Sequence, residues 1–282
     1  MLFAAAILFS TGGAAIKACS LSSWQVAGFR SGIAAVVLYM LMPGARRAWT
    51  WRTGLIGIAY AATLILFVIA NKLTTSANAI FLQSTAPLYL LLLGPLVLRE
   101  PIRKIDLAVI AAVAAGAVLL LRGSEAAGST APDPGRGNLL AIAAGLTWAL
   151  TITGLRWMGK RSADTASGAA TVIAGNLIAL AISLPMAFPV SHASGIDLAV
   201  LFYLGIFQIS LAYVFLTRSL REVPGIEAAT LLLIEPVLNP IWSWLIHGER
   251  PGALTLAGGA VIILAAFAGT VWHVKFTTIS QL

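Results

Sequence analysis

The chain has 282 residues, of which 59% are hydrophobic and only 10% are charged, and its mean hydropathy is +0.93. A soluble domain carries about 25% charged residues, so this composition excludes a soluble protein and predicts a protein of the lipid bilayer. The net charge of +8 does not indicate nucleic-acid binding, because the basic residues lie between the apolar runs and form no basic face.

Ten apolar stretches follow one another along the chain, and each is close to the roughly 20 residues that a membrane-spanning helix needs. Their uniformly apolar composition favours helices over the alternating strands of a barrel. The predicted spans are residues 2 to 19, 23 to 42, 53 to 73, 76 to 98, 104 to 121, 137 to 158, 165 to 188, 196 to 219, 225 to 246 and 253 to 273. Residues 122–136 are rich in Gly, Pro and Ser, which predicts a periplasmic linker between residues 1–121 and 137–282.

The first two spans each contain one basic residue. Lys17 lies near the outer end of span 1, from where its long side chain can reach the interface. Arg30 lies within span 2, where it can bind backbone carbonyls or a substrate carboxylate. Cys19 is the single cysteine, which excludes an intrachain disulfide.

Spans 3 and 4 carry polar and aromatic residues at helical spacing. Tyr60 and Phe67 share one face of span 3, and Asn78, Phe81 and Thr85 share one face of span 4, because residues three, four or seven apart lie above one another on a helix. We expect these faces to line a cavity. Hydrogen bonding between packed helices is the alternative for each polar residue.

The second half of the chain carries a comparable set. Trp148 lies deep in span 6, and Gln208 and Tyr213 lie in span 8, where Gln208 aligns with Tyr60 at an offset of 148. Glu235 is the deepest acid, in the middle of span 9. It could bind a proton, pair with a base or cap a helix kink.

An internal repeat relates the two halves. At an offset of 149, Pro87 aligns with Pro236 and Glu100 aligns with Glu249, and several flanking apolar residues keep the same register. A repeated unit with an odd number of spans is inverted on its second pass, as in many secondary transporters. Each proline interrupts a span, which predicts a bent helix that acts in binding or gating or is a static kink.

The distribution of lysine and arginine predicts the orientation. Twelve lie on one side of the predicted spans and four on the other, which places both termini in the cytoplasm of a multi-pass protein of the bacterial inner membrane. The inner residues are Arg46, Arg47, Arg52, Arg99, Arg103, Lys104, Arg156, Lys160, Arg161, Arg218, Arg221 and Lys275, and the outer ones are Lys72, Arg122, Arg136 and Arg250.

Motifs of catalysis are missing from the sequence. It contains no Walker loop, no HExxH and no Cys/His metal spacing, so we expect no enzyme activity, no cofactor and no metal site. The expected partners are a small-molecule substrate and the lipid bilayer. A monomer suffices, because ten helices already enclose a cavity.

Two segments resemble a known family. The segment LLLIEPVLNPIWSWLIHGER (231–250) resembles the second EamA-type repeat of the drug/metabolite transporter superfamily, and FLQSTAPLYLLLLGPLVLREP (81–101) resembles the first. The resemblance covers essentially the whole chain. It implies an all-α membrane protein of ten transmembrane helices, arranged as two inverted five-helix repeats around a central cavity that opens alternately to either side. Ala86 replaces the acid of the Glu-Pro pair, so any role of that acid applies to Glu235 alone.

Within this superfamily, the chain is similar to bacterial exporters of aromatic and other amino acids and of cationic drugs such as methyl viologen. We therefore predict an exporter of amino acids or similar small amphipathic metabolites. A multidrug, quaternary-ammonium or nucleotide-sugar carrier and a passive channel are the alternatives. The predicted binding residues are Tyr60, Phe67, Asn78, Phe81, Thr85, Trp148, Gln208, Tyr213 and Glu235, with Pro87 and Pro236 as gating or kink residues.

Overall fold

The structure of the protein is a computed structural model that describes residues 1–123, 127–159, 165–219 and 231–279, without the side chains of Thr165 and of residues 273–279. Some predicted features lie outside the described residues. These are the start of the ninth span (225–230), part of the linker (124–126), the basic residues Lys160, Arg161 and Arg221, and the side chain of Lys275.

The described residues form helices and no β-strand, and eight of the helices are long and apolar enough to cross a membrane. Two further predicted spans appear as shorter helices, Leu2–Ala18 and Ile234–His247. In chain order we label the helices α1 (Leu2–Ala18), α2 (Ser23–Leu41), α3 (Trp51–Leu73), α4 (Ser76–Leu98), α5 (Lys104–Arg122), α6 (Pro134–Gly159), α7 (Thr165–Ala187), α8 (Gly195–Ser219), α9 (Ile234–His247) and α10 (Ala253–Ile279).

Side-chain caps determine where several helices begin. Ser22 caps α2 by accepting a hydrogen bond from the backbone N–H of Gln25, whose side chain bonds back to Ser22. Ser194 and Asp197 form the same reciprocal box at the start of α8. Such boxes satisfy backbone donors that have no partner within the helix. The first turn of each of these helices is therefore set by its own sequence.

Three helices are interrupted. α1 has a turn at Thr11, and α8 contains a π-helical segment, Tyr203–Leu211. α4 breaks at Ser84 and Thr85 and resumes at Ala86, with Pro87 in its first turn. Proline lacks a backbone N–H, which costs no helix hydrogen bond in the first turn but removes one in the helix interior. The bend predicted at Pro87 is therefore a full helix break.

The repeat-related position in the second half has a similar break. Residues 231–232 are helical, Leu233 forms a turn, and α9 starts at Ile234, two residues before Pro236. Both predicted kink prolines therefore lie in the first turn of a restarted helix.

The packing of the helices follows a twofold pattern. α3 packs against α6 and α7, as α8 packs against α1 and α2. α4 packs against α6, as α9 packs against α1. α2 with α7, α5 with α10, and α4 with α9 form contacts between equivalent helices. Exchanging each helix with the one five places along the chain thus leaves this pattern unchanged.

Glycines permit the closest of these contacts. A Cβ atom on Gly205 of α8 would lie 2.9 Å from the backbone oxygen of Arg30 in α2, and one on Gly57 of α3 would lie 3.1 Å from the backbone nitrogen of Gly175 in α7. Gly57 and Gly205 are separated by the repeat offset of 148. Small residues at helix interfaces in membranes allow backbones to approach, so equivalent positions perform the same packing task in both halves.

Candidate functional site

An aromatic cluster lies where helices of both halves meet. The ring of Tyr60 in α3 is 5.8 Å from that of Tyr213 in α8 and 6.4 Å from that of Trp148 in α6. Phe9 of α1 packs edge-on against Tyr213 at 5.3 Å. Edge-to-face contacts at these distances are favourable. The structure thus brings together three of the predicted binding residues and adds Phe9, which lies on an apolar helix without a distinguishing sequence pattern.

Two charged residues lie beside this cluster. Glu235 of α9 is half-buried and interacts electrostatically with the hydroxyl groups of Tyr60 and Tyr213. Arg30 of α2 is 2% exposed and also interacts with Tyr60. Its Nη2 atom donates to the backbone oxygen of Leu64 at 3.2 Å, while its Nε atom has no hydrogen-bond partner. Tyr60 therefore interacts with both a buried cation and an acid.

Gln208 lies near this cluster and packs against α1. It belongs to the π-helical segment of α8, and its Nε2 atom donates to the backbone oxygen of Phe9 at 3.4 Å. A Cβ atom on Gly12 of α1 would lie 2.9 Å from the same Nε2 atom. A π-helical turn shifts the helical register, and Gln208 packs directly on α1.

The predicted residues of α4 lie apart from the aromatic cluster. A Cβ atom on Gly259 of α10 would lie 2.4 Å from the ring of Phe81, so this ring packs on α10. Thr85 donates to the backbone oxygen of Leu82 at 2.6 Å and lies against Gly145 of α6. Asn78 is buried near the start of α4, and its Oδ1 atom has no hydrogen-bond partner. Phe67 packs against both apolar clusters of the protein.

A buried ion pair lies at one end of the bundle. Lys17 of α1 lies 2.9 Å from Glu249, which follows α9, and their side chains are 4% and 3% exposed. Lys17 also donates to the backbone oxygens of Thr74 and Thr130, and Glu249 accepts from the backbone N–H of Ser76. The expectation that Lys17 extends to the interface is therefore wrong, because partners from three other segments hold its amine inside the bundle.

A second ion pair contains Glu100, the acid that the repeat aligns with Glu249. Arg156 of α6 lies 2.9 Å from Glu100, which follows α4, and their side chains are 51% and 34% exposed. Glu100 and Glu249 are the aligned acids of the repeat, and each binds a cation at the end of the first helix of the other half. We call the two ends of the bundle the Lys17 end and the Arg156 end.

Each end has a cavity, and the one toward the Lys17 end has a volume of about 190 Å³ and lies between α1, Tyr203 of α8 and Trp242 of α9. At the Arg156 end, a cavity of about 290 Å³ lies between the end of α2, the start of α7 and the end of α8. Its lining includes Met42, Ala169, Thr217 and Arg218. Toward the Lys17 end, hydrogen bonds join α1 to α9: Trp242 donates to Ser10 at 2.9 Å, and the His247 ring lies 2.8 Å from the Ala14 oxygen.

Comparisons with known proteins agree with this architecture. The EamA-like transporter family matches residues 1–122 and 135–270. The pseudopaline exporter of two Pseudomonas aeruginosa strains is 28% identical over 273 residues, which cover 94% of this chain and 92% of the exporter. A transporter of Methanothermobacter thermautotrophicus is 24% identical over 210 residues, or 72% of this chain and 59% of the relative.

A solved structure has the same fold. It superposes with a TM-score of 0.65 at 19% sequence identity, over 98% of this chain and 96% of the other. At this identity the likeness concerns the fold alone.

Proposed function

Because the chain belongs to the EamA-like transporter family, we propose that this multi-pass membrane transporter exports amino acids or similar small amphipathic metabolites by alternating access. We place it in the bacterial inner membrane, with both termini and the Arg156 end in the cytoplasm, as the lysine and arginine distribution predicts. The similarity to the Pseudomonas pseudopaline exporter supports export of a small metabolite.

The difference in burial between the two ion pairs is the observation that supports the alternating-access proposal. Each pair joins the end of one repeat's fourth helix to the first helix of the other repeat, and the pairs lie at opposite ends. One is buried and the other is exposed. In a transporter built from inverted repeats, one half rocks against the other and exchanges the closed end. We propose that burial of the Glu100–Arg156 pair and exposure of the Lys17–Glu249 pair mark the opposite state.

The twofold packing pattern supports two inverted five-helix repeats, 1–121 and 137–282. Ten spans follow if Leu2–Ala18 and the segment that includes Ile234–His247 also cross the membrane. Helices interrupted near the membrane centre commonly form binding sites in transporters. The breaks beside Pro87 and Pro236 give α4 and α9 this role in the proposal.

The aromatic cluster and its two charged neighbours support an amino-acid substrate. Tyr60, Trp148 and Tyr213 offer ring faces and edges to an aromatic or amphipathic side chain. Glu235 can bind an ammonium group, and Arg30 can bind a carboxylate. Both charges interact with Tyr60, which supports a site where one zwitterion meets both.

A carrier of quaternary-ammonium compounds is the second candidate, because an acid beside aromatic rings also binds cationic drugs. A liposome uptake screen with tryptophan, leucine, methyl viologen and a nucleotide sugar tests both. We expect saturable uptake of tryptophan with counterflow. Selective uptake of methyl viologen would favour the second candidate, and flux that does not saturate would indicate a channel.

The Trp148→Ala variant tests the aromatic cluster. We expect the apparent affinity for tryptophan to fall by about tenfold, since a lost aromatic contact with its buried area costs on the order of 1.4 kcal/mol. Trp244→Ala, which removes a half-exposed ring on α9, is the matched control and should transport as the wild type. Uptake unchanged by Trp148→Ala would remove Trp148 from the binding site.

A further inference from the structure

Four helices from both halves meet at a small group of oxygen atoms beside Gly13 of α1. The position that a Cβ atom would occupy at residue 13 lies 2.6 Å from Oδ1 of Asn239, 3.0 Å from Oδ1 of Asn71 and 3.0 Å from Oγ of Ser76. These residues belong to α9, α3 and α4. The three atoms nearest to this point, apart from the neighbouring backbone of α1, are therefore all side-chain oxygens.

These oxygens are buried and lack hydrogen bonds. Asn71, Ser76 and Asn239 have no exposed surface, and the three atoms have no hydrogen-bond partner among the described residues. The Nδ2 atom of Asn71 donates to the backbone oxygen of Phe67 at 2.9 Å, which leaves its Oδ1 atom facing Gly13. A buried polar group without a partner is costly and calls for a bound ion or water.

We propose that this oxygen group binds a monovalent metal cation, with Na⁺ as the ion that fits. Carbonyl and hydroxyl oxygens are the ligands of hard cations, and interrupted helices provide such oxygens for Na⁺ in transporters. The carboxylate nearest to the group is that of Glu249, and Lys17 neutralises it. Neutral oxygens without a free carboxylate suit a single positive charge better than a divalent ion.

The burial of the site favours an ion over part of the substrate. All three ligand side chains are completely buried, and their oxygens approach α1 this closely because Gly13 has no side chain. A single ion can be enclosed by these oxygens, whereas an ammonium group would have to enter with the remainder of its molecule. The site is therefore separate from the aromatic cluster.

Ser76 links this site to the Lys17 end. Its Oγ atom belongs to the oxygen group, and its backbone N–H donates to Oε2 of Glu249 at 3.0 Å. The ligands come from α3, α4 and α9 and lie against Gly13 of α1, so opening of the Lys17 end separates them. Bound Na⁺ then stabilises the state in which that end is closed, because a ligand favours the conformation that binds it better. This linkage rests on the proposed alternating access, whereas Na⁺ binding does not.

Thermal unfolding of the purified full-length protein tests the binding. At equal ionic strength, we expect the Tm in NaCl to exceed the Tm in choline chloride, because an ion that binds only the folded state stabilises it. Ser76→Ala removes one ligand without adding bulk and should raise the apparent Kd for Na⁺ by about tenfold. Gly13→Ala places a methyl group at the site and should abolish the Na⁺ response.

Gly54→Ala is the matched control, because a Cβ atom at residue 54 meets no atom within 4 Å. It should keep the wild-type response to Na⁺. Equal Tm values of the wild type in NaCl, KCl and choline chloride would overturn the proposal and leave water as the occupant. If Gly13→Ala does not fold, the wild type and Ser76→Ala decide the outcome.

Uptake in liposomes with and without a Na⁺ gradient tests the coupling separately. We expect the gradient to change the uptake rate in the wild type and to have at least about tenfold less effect in Ser76→Ala. A Na⁺-dependent Tm without any transported substrate would contradict the proposed function and leave the ion site standing. Transport that is indifferent to Na⁺, together with an unchanged Tm, would contradict the ion site alone.

Discussion

Replacing Lys17 by methionine is expected to lower the free energy of unfolding by about 3–5 kcal/mol, since removal of one partner leaves the other charge buried and unpaired. The carboxylate of Glu249 would keep its backbone donor at Ser76 but lose its counter-ion. Unfolding followed by circular dichroism in detergent micelles measures the loss. Transport in liposomes should fall with it, because the Lys17 end could no longer close.

The Glu100→Gln variant is the control for that experiment. It breaks the repeat-related ion pair, whose side chains are 51% and 34% exposed. An ion pair in contact with solvent contributes at most about 1 kcal/mol, so the stability should change little. Exchange of the charges in a Lys17→Glu, Glu249→Lys double variant should recover part of the loss. Equal destabilisation by Lys17→Met and Glu100→Gln would contradict the difference in burial between the two ends.

Replacing Glu235 by glutamine is expected to lower the uptake of tryptophan by about 10- to 100-fold, because a hydrogen bond to a charged group contributes about 1.5–3 kcal/mol. Glu235 has no ion pair or hydrogen bond to another described side chain, and its electrostatic neighbours are the hydroxyls of Tyr60 and Tyr213. Radiolabelled uptake at a series of substrate concentrations separates affinity from rate. The reduced uptake should result from a lower apparent affinity for tryptophan.

Further measurements distinguish substrate binding from proton binding by Glu235. An aromatic carboxylic acid without an amino group should compete equally well for the wild type and Glu235→Gln, since it lacks the ammonium that the carboxylate binds. Glu235→Asp should retain part of the uptake. A variant that keeps its tryptophan affinity but loses a stimulation by a pH gradient that the wild type shows would assign proton binding to Glu235 in place of substrate binding.

Much of the secondary structure could be predicted from local sequence. The apolar runs predicted eight long helices within a few residues of their observed ends, because backbone groups in hydrocarbon must bond within the helix. Pro87 and Pro236 marked the breaks in α4 and α9, since proline removes a helix hydrogen bond, although Pro185 and Pro240 lie inside continuous helices. The repeat also aligned Glu100 with Glu249, which are the acids of the two ion pairs.

The interaction partners of the charged residues were harder to predict from the sequence. Lys17 and Arg156 each lie near the end of the first helix of a predicted repeat. That shared position was the signal in the sequence for two related ion pairs. It could not show that one pair is buried and the other exposed, because burial depends on how tightly the helices pack around each pair.

In the candidate site, the direction in which side chains point was the property that the sequence predicted least well. Phe81 lies on the same predicted face as Asn78 and Thr85, yet its ring packs against Gly259 of α10. Gln208 lies in a π-helical segment that the sequence pattern did not indicate. Asn71 and Asn239 lie on different spans, and only the folded chain brings their oxygens together beside Gly13.

The sequence by itself determined the membrane class, the helical segments, the breaks at the prolines and the internal repeat, because these depend on composition, hydrophobic length and residue order. Tertiary structure alone decided which polar groups meet, which ion pair is buried and where the aromatic cluster lies. Those properties depend on the rotation and depth of each helix against neighbours that are distant in the chain. Lys17 shows the difference: its stem could reach the interface, but Glu249, 232 residues later, holds its amine inside the bundle.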